Sequence, residues 1–472
     1  MSLLGLELSD AGILVAGSAT NGLLEIDENR VESPGFALPE KNRLAVGVAA
    51  ERKAHLYPRQ ILNHFWDQLN TEPLEQPNPF AHNHAEIAFE HLAHIWKTLR
   101  HHGKEMVIAV PAFYMPEHLG LILGIARELS IPVKGFVPLP LVAAPAQLPQ
   151  GLALHLDMHL HRFEITCLRR NGQLSREESV SSEGNGLFNL YRKWVDAIGE
   201  EFVRSTRFDP LHQAATEQEL YDRLPGVLTQ LNQSPGVHFE MTGGSKVYRV
   251  TLTRDVFYKK AAPVFEEIRR RIDRLYERYG KDKPGPVLLL SNRVVRLPGI
   301  KDMLAAIESC KTIHLQPGAG ARGILRLSHQ LFDQQGAGST PFLKVLPLPV
   351  DHAISDEIFA QQQQEVRQRP THILYRHLAY PITEKPLVIG LEPAADKSGI
   401  QIRGQIAGVS RKHCSVRLIG NDIVLNDHST YGTFVNEKPV DQQTILSLGQ
   451  IIRVGTPGEE LKLIACVDTD ET

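Results

Sequence analysis

The stretch Val409-Ser-Arg-Lys-His-Cys-Ser-Val416, followed by Ile423-Val-Leu-Asn-Asp-His-Ser-Thr-Tyr-Gly-Thr-Phe-Val-Asn436, decides how the C-terminal part of the chain folds. Apolar residues alternate at Cys414, Val416 and Leu418 and again at Ile423 and Leu425, with Gly420-Asn421 between the two runs. Period-two alternation on both sides of such a turn pair predicts a β-hairpin. Further short runs at Phe434 to Asn436, Ile445 to Leu448, Ile451 to Val454 and Leu461 to Val467 keep the close spacing of a small sandwich. Residues 370–472 therefore read as one all-β domain.

These motifs resemble a forkhead-associated (FHA) domain, a β-sandwich whose end loops bind phosphothreonine peptides. Ser410-Arg-Lys-His413, Ser429-Thr-Tyr-Gly-Thr-Phe-Val-Asn436 and Leu448-Gly-Gln-Ile451 match the family in order and spacing. The resemblance implies that Ser410, Arg411 and Thr430 donate to the phosphate, with Tyr431 in the same turn, while His413 ties loops together. A dianionic phosphate needs such convergent donors on a rigid scaffold. Two positions depart from the family. Its Gly-Arg dipeptide, whose arginine clamps the phosphate, is here Gly390-Leu391, and the asparagine before the turn glycine is Tyr431. Arg403, just past the run Ile400 to Ile402, is the residue placed to substitute for the lost clamp.

At 472 residues the chain has room for about two to four domains with their own cores. A formal net charge of −3 gives no basic footprint, so nucleic acid is not the expected partner. Cys167, Cys310, Cys414 and Cys466 stand far apart without paired spacing, which fits a reduced, cytoplasmic setting. The first ten residues lack a basic and then apolar leader, and no apolar stretch reaches spanning length without proline or charge. Neither a secretion signal nor a membrane span is expected.

The first part of the chain reads differently. Leu3 to Leu8 and Ile13 to Ala16 predict a hairpin around Ser9-Asp-Ala-Gly12. Ile87, Leu92, Ile95, Trp96 and Leu99 have helical spacing and lead into a buried strand at Met106 to Val110. A second helix from Pro116 and a strand near Val133 to Val137 complete a βαβ pattern, so this part is α/β. Val107-Ile-Ala-Val-Pro-Ala-Phe-Tyr114 and Pro140-Leu-Val-Ala-Ala144 resemble the nucleotide-binding domain of DnaK-type heat-shock chaperones, in the actin-like (ribonuclease-H-like) ATPase superfamily. Leu154 to Thr166 stands where that family has its second phosphate hairpin. The run Pro286 to Ile300 stands where it helps hold adenosine, with the helical segment Thr251 to Gly280 at the expected place just before it.

That resemblance implies ATP as cofactor, but the phosphate-handling residues are altered. The family's Asp-x-Gly-Thr-Thr corresponds to Glu7-Leu-Ser-Asp-Ala11, and its Asp-x-Gly-Gly-Gly-Thr to Asp157-Met-His-Leu-His-Arg162. Side chains in place of glycine obstruct close approach of backbone amides to a polyphosphate. The adenosine-side Gly-Gly falls near Leu290-Ser291, and the expected glutamate falls at Leu139. Glu7 and Asp157 are vestigial in this reading, and the module is a pseudo-ATPase with no catalytic residue and no cofactor. His155, Asp157, His159 and His161 alternate, a spacing that fits a metal or anion site only on an unbroken strand. A turn at 159–162 breaks the common face and predicts a polar, partly solvated loop. His82, His84, His91, His94, His101 and His102 likewise read as a solvated helix surface.

Composition divides the chain into an actin-like domain at residues 1–333, a Pro- and Gln-rich linker at 334–369 with one helical piece at Ser355 to Arg367, and the sandwich at 370–472. No internal repeat is evident. The chaperones' peptide-binding β domain and lid have no counterpart. Three functions follow: a phosphorylation-dependent scaffold with a phosphothreonine-containing partner and further protein partners on its actin-like body, a chaperone-like ATPase recruited by its FHA domain, and an assembly subunit that uses neither site. Fold alone does not rank them; the altered phosphate loops favour the first.

Overall fold

The computed structural model describes residues 3–18, 22–280, 287–307, 310–331, 341–347, 370–376, 378–393, 399–402, 407–419, 422–436, 438–455 and 458–464. Two compact units, Met1–Asp351 and His352–Thr472, each enclose their own hydrophobic core. Among the described residues no helix is long and apolar enough to cross a membrane.

The first unit is mixed α/β and holds two large sheets. One runs, edge to edge, Gly22–Leu23, Ile13–Gly17, Leu3–Glu7, Glu105–Val110 and Val133–Pro138. Its first three strands are antiparallel and its last two join in parallel. The other runs Lys311–His314, Val287–Leu290, Gly151–Met158, Arg162–Asn171, Gln173–Glu183 and Val345–Pro347. Gly151–Met158 has an antiparallel neighbour on one side and a parallel one on the other, as Leu3–Glu7 has in the first sheet. The same arrangement occurs twice, although the sequence shows no repeat: topology repeats where residue identities have diverged.

Two helices join the sheets. Ala319–Leu331 follows the last parallel strand of the second sheet and packs on Leu3–Glu7 of the first, while Leu139–Ala143 follows the first sheet and packs on Arg162–Asn171 and Gln173–Glu183. Gly5 permits this contact, since a Cβ there would lie 2.3 Å from the Ala321 carbonyl oxygen. Amphipathic helices His84–Leu99 and Arg254–Tyr279 each bury one apolar stripe against a sheet, Ile87, Leu92 and Ile95 in one case and Val264, Ile268 and Ile272 in the other.

The structure corrects three expectations. Val345–Pro347 pairs with Gln173–Glu183, so part of the stretch read as linker is a strand of the first unit; residues 334–340 and 348–369, including Ser355 to Arg367, lie outside the described residues. His91 is fully buried, accepting from Trp66 Nε1 at 3.0 Å with its Nε2 2.8 Å from Ser33 Oγ. His155, His159 and His161 are buried as well. Trp66 and Ser33 meet both nitrogens of His91, and composition does not reveal such neighbours, whereas both ring nitrogens of His155 are buried without a hydrogen-bond partner.

The second unit is a sandwich. One sheet orders Leu378–Pro381, His372–Tyr375, Glu459–Ile464, Ile451–Val454, Thr433–Val435 and Lys438–Pro439; the other orders Ile400–Gln401, Leu387–Gly390, Cys414–Ile419, Asp422–Asp427 and Gln443–Leu446. The hairpin read from alternation is present, with Cys414, Val416 and Leu418 facing Asp427, Leu425 and Ile423. Its Gly420-Asn421 turn lies outside the described residues. Cys414, Val416, Leu425, Ile389, Ile452 and Leu461 form a dry core between the sheets. Leu425→Ala in residues 370–472 is expected to lose about 2–5 kcal/mol, from the cavity left by a fully buried leucine. Urea unfolding of the fragment measures this, and the same substitution in the full chain should leave the first unit's transition unmoved.

Candidate functional site

At one end of the sandwich, loops before Cys414–Ile419 and after Asp422–Asp427 approach each other, and His413 joins them. Its ring is fully buried. Nδ1 accepts from the Ser410 backbone N–H at 3.1 Å, which leaves the proton on Nε2, 3.3 Å from the Gly432 carbonyl oxygen. The imidazole thus binds backbone on both sides in one neutral tautomer. Burial pushes its pKa down. The expected brace is in place.

Asp427 organises the second loop. It accepts from the Ser429 N–H at 3.0 Å, the Thr433 N–H at 3.2 Å and the Thr433 hydroxyl at 2.7 Å. Burial alone would raise its carboxyl, but these bonds outweigh burial and hold it below the usual range. Ser429 Oγ accepts from the Gly432 N–H at 2.8 Å, closing the turn. Asp427 was legible as an Asx-turn residue, two positions before Ser429, yet sequence reading missed it.

The structure brings Ser410, Arg411, Thr430 and Tyr431 to this one end. Ser410 Oγ accepts from the Thr430 N–H at 3.4 Å, tying the loops a second time. Thr430, Arg411 and Tyr431 are exposed, Tyr431 at 76 %. Gly390–Glu392 runs alongside: the Leu391 and Glu392 N–H groups donate to the Ser410 and Arg411 carbonyls at 3.2 and 2.9 Å. A Cβ on Gly390 would stand 2.1 Å from the Arg411 carbonyl oxygen, so this approach requires glycine. Leu391, in place of the family's arginine, packs against the sandwich core. Glu392, unremarked in the sequence, puts a carboxylate oxygen 3.7 Å from Arg411 Nε. Both side chains are exposed, so their mutual attraction is weak. Arg403 lies outside the described residues.

A family model of the FHA domain matches residues 388–455. The chain carries an FHA domain. The matched span runs from Leu387–Gly390 through Ile451–Val454 and holds Ser410, Arg411, His413, Thr430 and Gly432. No curated protein matches the chain.

The second expected site, in the first unit, holds Glu7 and Asp157. Both are buried, and both face Arg293, whose Nη1 lies 3.8 Å from Glu7 Oε1 and 3.9 Å from Asp157 Oδ1. Arg293 Nη2 donates to the Gly12 carbonyl and to Glu32 Oε1, each at 2.9 Å. Burial works against this guanidinium's charge, but Glu32, Asp157 and Glu7 outweigh it. Sequence reading passed over Arg293, whose partners are distant in the chain. Among the described residues no group of three or more His, Cys, Asp or Glu side chains is arranged to hold a metal ion.

Protonating His413 would set an N–H against the Ser410 N–H, so acid should loosen the loops. The folded pKa lies below the ordinary value of 6.5, so the unfolded chain takes the proton first. Stability from this bridge is present above about pH 6.5 and is lost as pH falls toward the depressed folded value. Urea unfolding of residues 370–472 between pH 7 and 5 should show that decline. His413→Gln should flatten it and cost about 1–3 kcal/mol at pH 7 through unsatisfied backbone.

Proposed function

We propose that this protein is a phosphorylation-dependent interaction or scaffold protein, whose FHA domain takes a phosphothreonine segment at the end formed by Ser410, Arg411 and Thr430. One observation carries the reading: within the matched FHA span, a buried neutral histidine ties together the two loops that carry Ser410, Arg411 and Thr430 at one end of the sandwich. Donors fixed in advance by a scaffold need little further ordering when phosphate arrives. Arg411 supplies the charge, in the absence of an arginine at position 391. Arg403 is the proposed second cation.

The first unit, in this proposal, is a degenerate actin-like body that takes no nucleotide and offers surfaces to protein partners in the cytoplasm. The twice-used strand order supports that fold reading. The ion-paired Arg293 between Glu7 and Asp157 supports the absence of nucleotide, because it sets protein groups where a polyphosphate and its metal would need open space. A second reading, a docking sandwich indifferent to phosphate, draws support from the partly buried Leu391, which packs against the core, and from Glu392 beside Arg411.

Titration of phosphothreonine peptides against the full chain, with unphosphorylated peptides alongside, separates the readings. A clear preference for phosphate is expected. Charge-assisted hydrogen bonds contribute about 1.5–3 kcal/mol, so Ser410→Ala and Arg411→Ala should each weaken binding about tenfold or more. Leu391→Arg should bind equally well or more tightly. No preference for phosphate, with both alanine variants unchanged, would favour the docking sandwich. Calorimetry with Mg-ATP should show no binding; micromolar affinity would overturn the pseudo-ATPase reading.

A further inference from the structure

Two sets of backbone amides in the first unit already hold carboxyl groups of the chain itself, and both carboxyls come from one short segment; burial pushes the Glu7 carboxyl up, toward its neutral form. Asp10 Oδ1 accepts from the Leu160 N–H at 2.8 Å, and its Oδ2 from the His161 N–H at 3.2 Å. Three residues earlier, Glu7 Oε2 accepts from the Gly320 and Ala321 N–H groups at 2.8 and 3.4 Å, at the start of the helix Ala319–Leu331. Successive amides converging on one point, and the first turn of a helix, are both anion-binding arrangements. Asp10 and Glu7 are 2 % and 6 % exposed.

The surrounding groups fit an anion at Asp10. Ser9 Oγ lies 3.0 Å from His159 Nδ1, which is itself 3.6 Å from Asp10 Oδ1, and His159 Nε2 lies 3.7 Å from Glu164 Oε2. Burial would raise the Asp10 carboxyl, but His159 and the Leu160 amide outweigh it and hold it ionised. The turn after Leu3–Glu7 is thereby fastened to the turn after Gly151–Met158, one in each sheet.

We propose that Asp10 is a built-in anion, that its carboxylate and the Glu7 carboxyl occupy the amide sites a phosphate- or carboxylate-bearing ligand would otherwise take, and that they lock the two sheets' loops together without any ligand. A tethered carboxylate acts at an effective concentration that a dissolved anion rarely matches. The body therefore stays in one closed arrangement, independent of a nucleotide cycle. This inference does not rest on the phosphopeptide reading.

Vacating the site and refilling it tests the proposal. Thermal unfolding of the full chain is followed for the native protein, Asp10→Ala and Asp10→Asn in sodium formate, with sodium chloride at equal ionic strength as control. Asp10→Ala should unfold at lower temperature and recover part of the loss, saturably, in formate. The native protein should gain nothing over chloride, and Asp10→Asn, which keeps one acceptor oxygen, should lose less and recover less. Should Asp10→Ala not fold, amide hydrogen exchange of Asp10→Asn decides: faster exchange at Leu160 and His161, slowed again by formate, is expected. An Asp10→Ala as stable as the native chain, or one helped no more by formate than by chloride, overturns the proposal, as does unchanged exchange in Asp10→Asn.

Discussion

The imidazole of His413 holds a position on which the rest of the sandwich's recognition end depends. Its two nitrogens reach backbone on two loops, the Ser410 amide on one side and the Gly432 carbonyl on the other. Only the neutral ring satisfies both, since one partner is a donor and the other an acceptor. Burial enforces that state by disfavouring the charged form. Loops that would otherwise have to lose conformational freedom on meeting a ligand are thus set in advance. The carboxylate of Asp427 does comparable work within the second loop, gathering two backbone amides and a hydroxyl.

How much of this was legible in sequence depended on how local the physics is. Alternation at Cys414, Val416, Ile423 and Leu425 exposed the hairpin, because a strand's two faces are written in neighbouring residues. The role of His413 could be inferred only by resemblance, and Asp427 lay within reach of turn chemistry. Glu392 was invisible, since what matters is its place across a gap that Gly390 closes by lacking a side chain. In the first unit the hairpins, helices and parallel strands followed from periodicity. The repeated strand order did not, because pairing between strands is long-range and leaves little trace in composition. Burial of His91, His155 and His159 was missed for the same reason: a histidine's surroundings come from partners far along the chain.

Two anion-handling regions in one chain have opposite histories of exposure. In the FHA domain Arg411 stands in solvent, while Ser410 and Thr430 meet through a single long hydrogen bond, so an incoming phosphate has donors to meet. In the first unit five such donors are engaged with carboxyl groups of the chain itself: Leu160 and His161 with Asp10, Gly320 and Ala321 with Glu7, Arg293 with Glu7, Asp157 and Glu32. A buried charge is tolerated only when paired, so removing one member of such a set leaves its partners uncompensated. The set is therefore a unit and resists piecemeal change.

That contrast bears on how the two units divide their roles. On the proposed reading, a body in which the Leu160, His161, Gly320 and Ala321 amides and the Arg293 guanidinium are engaged by its own carboxyls offers that set to no diffusible phosphate, and a ligand without differential affinity shifts no equilibrium. On that reading, regulation by phosphate enters at the exposed end of the sandwich, where Arg411 stands in solvent. The loss of the family's clamp at Leu391 acts in the same direction. With Leu391 packed against the core where the family has an arginine, the proposed phosphopeptide would be held through fewer bonds, and exchange of partners would be correspondingly easier. The proposed function joins the two: modest affinity at a pre-ordered site, on a body that does not cycle, would suit a scaffold whose assembly follows the phosphorylation state of its partner.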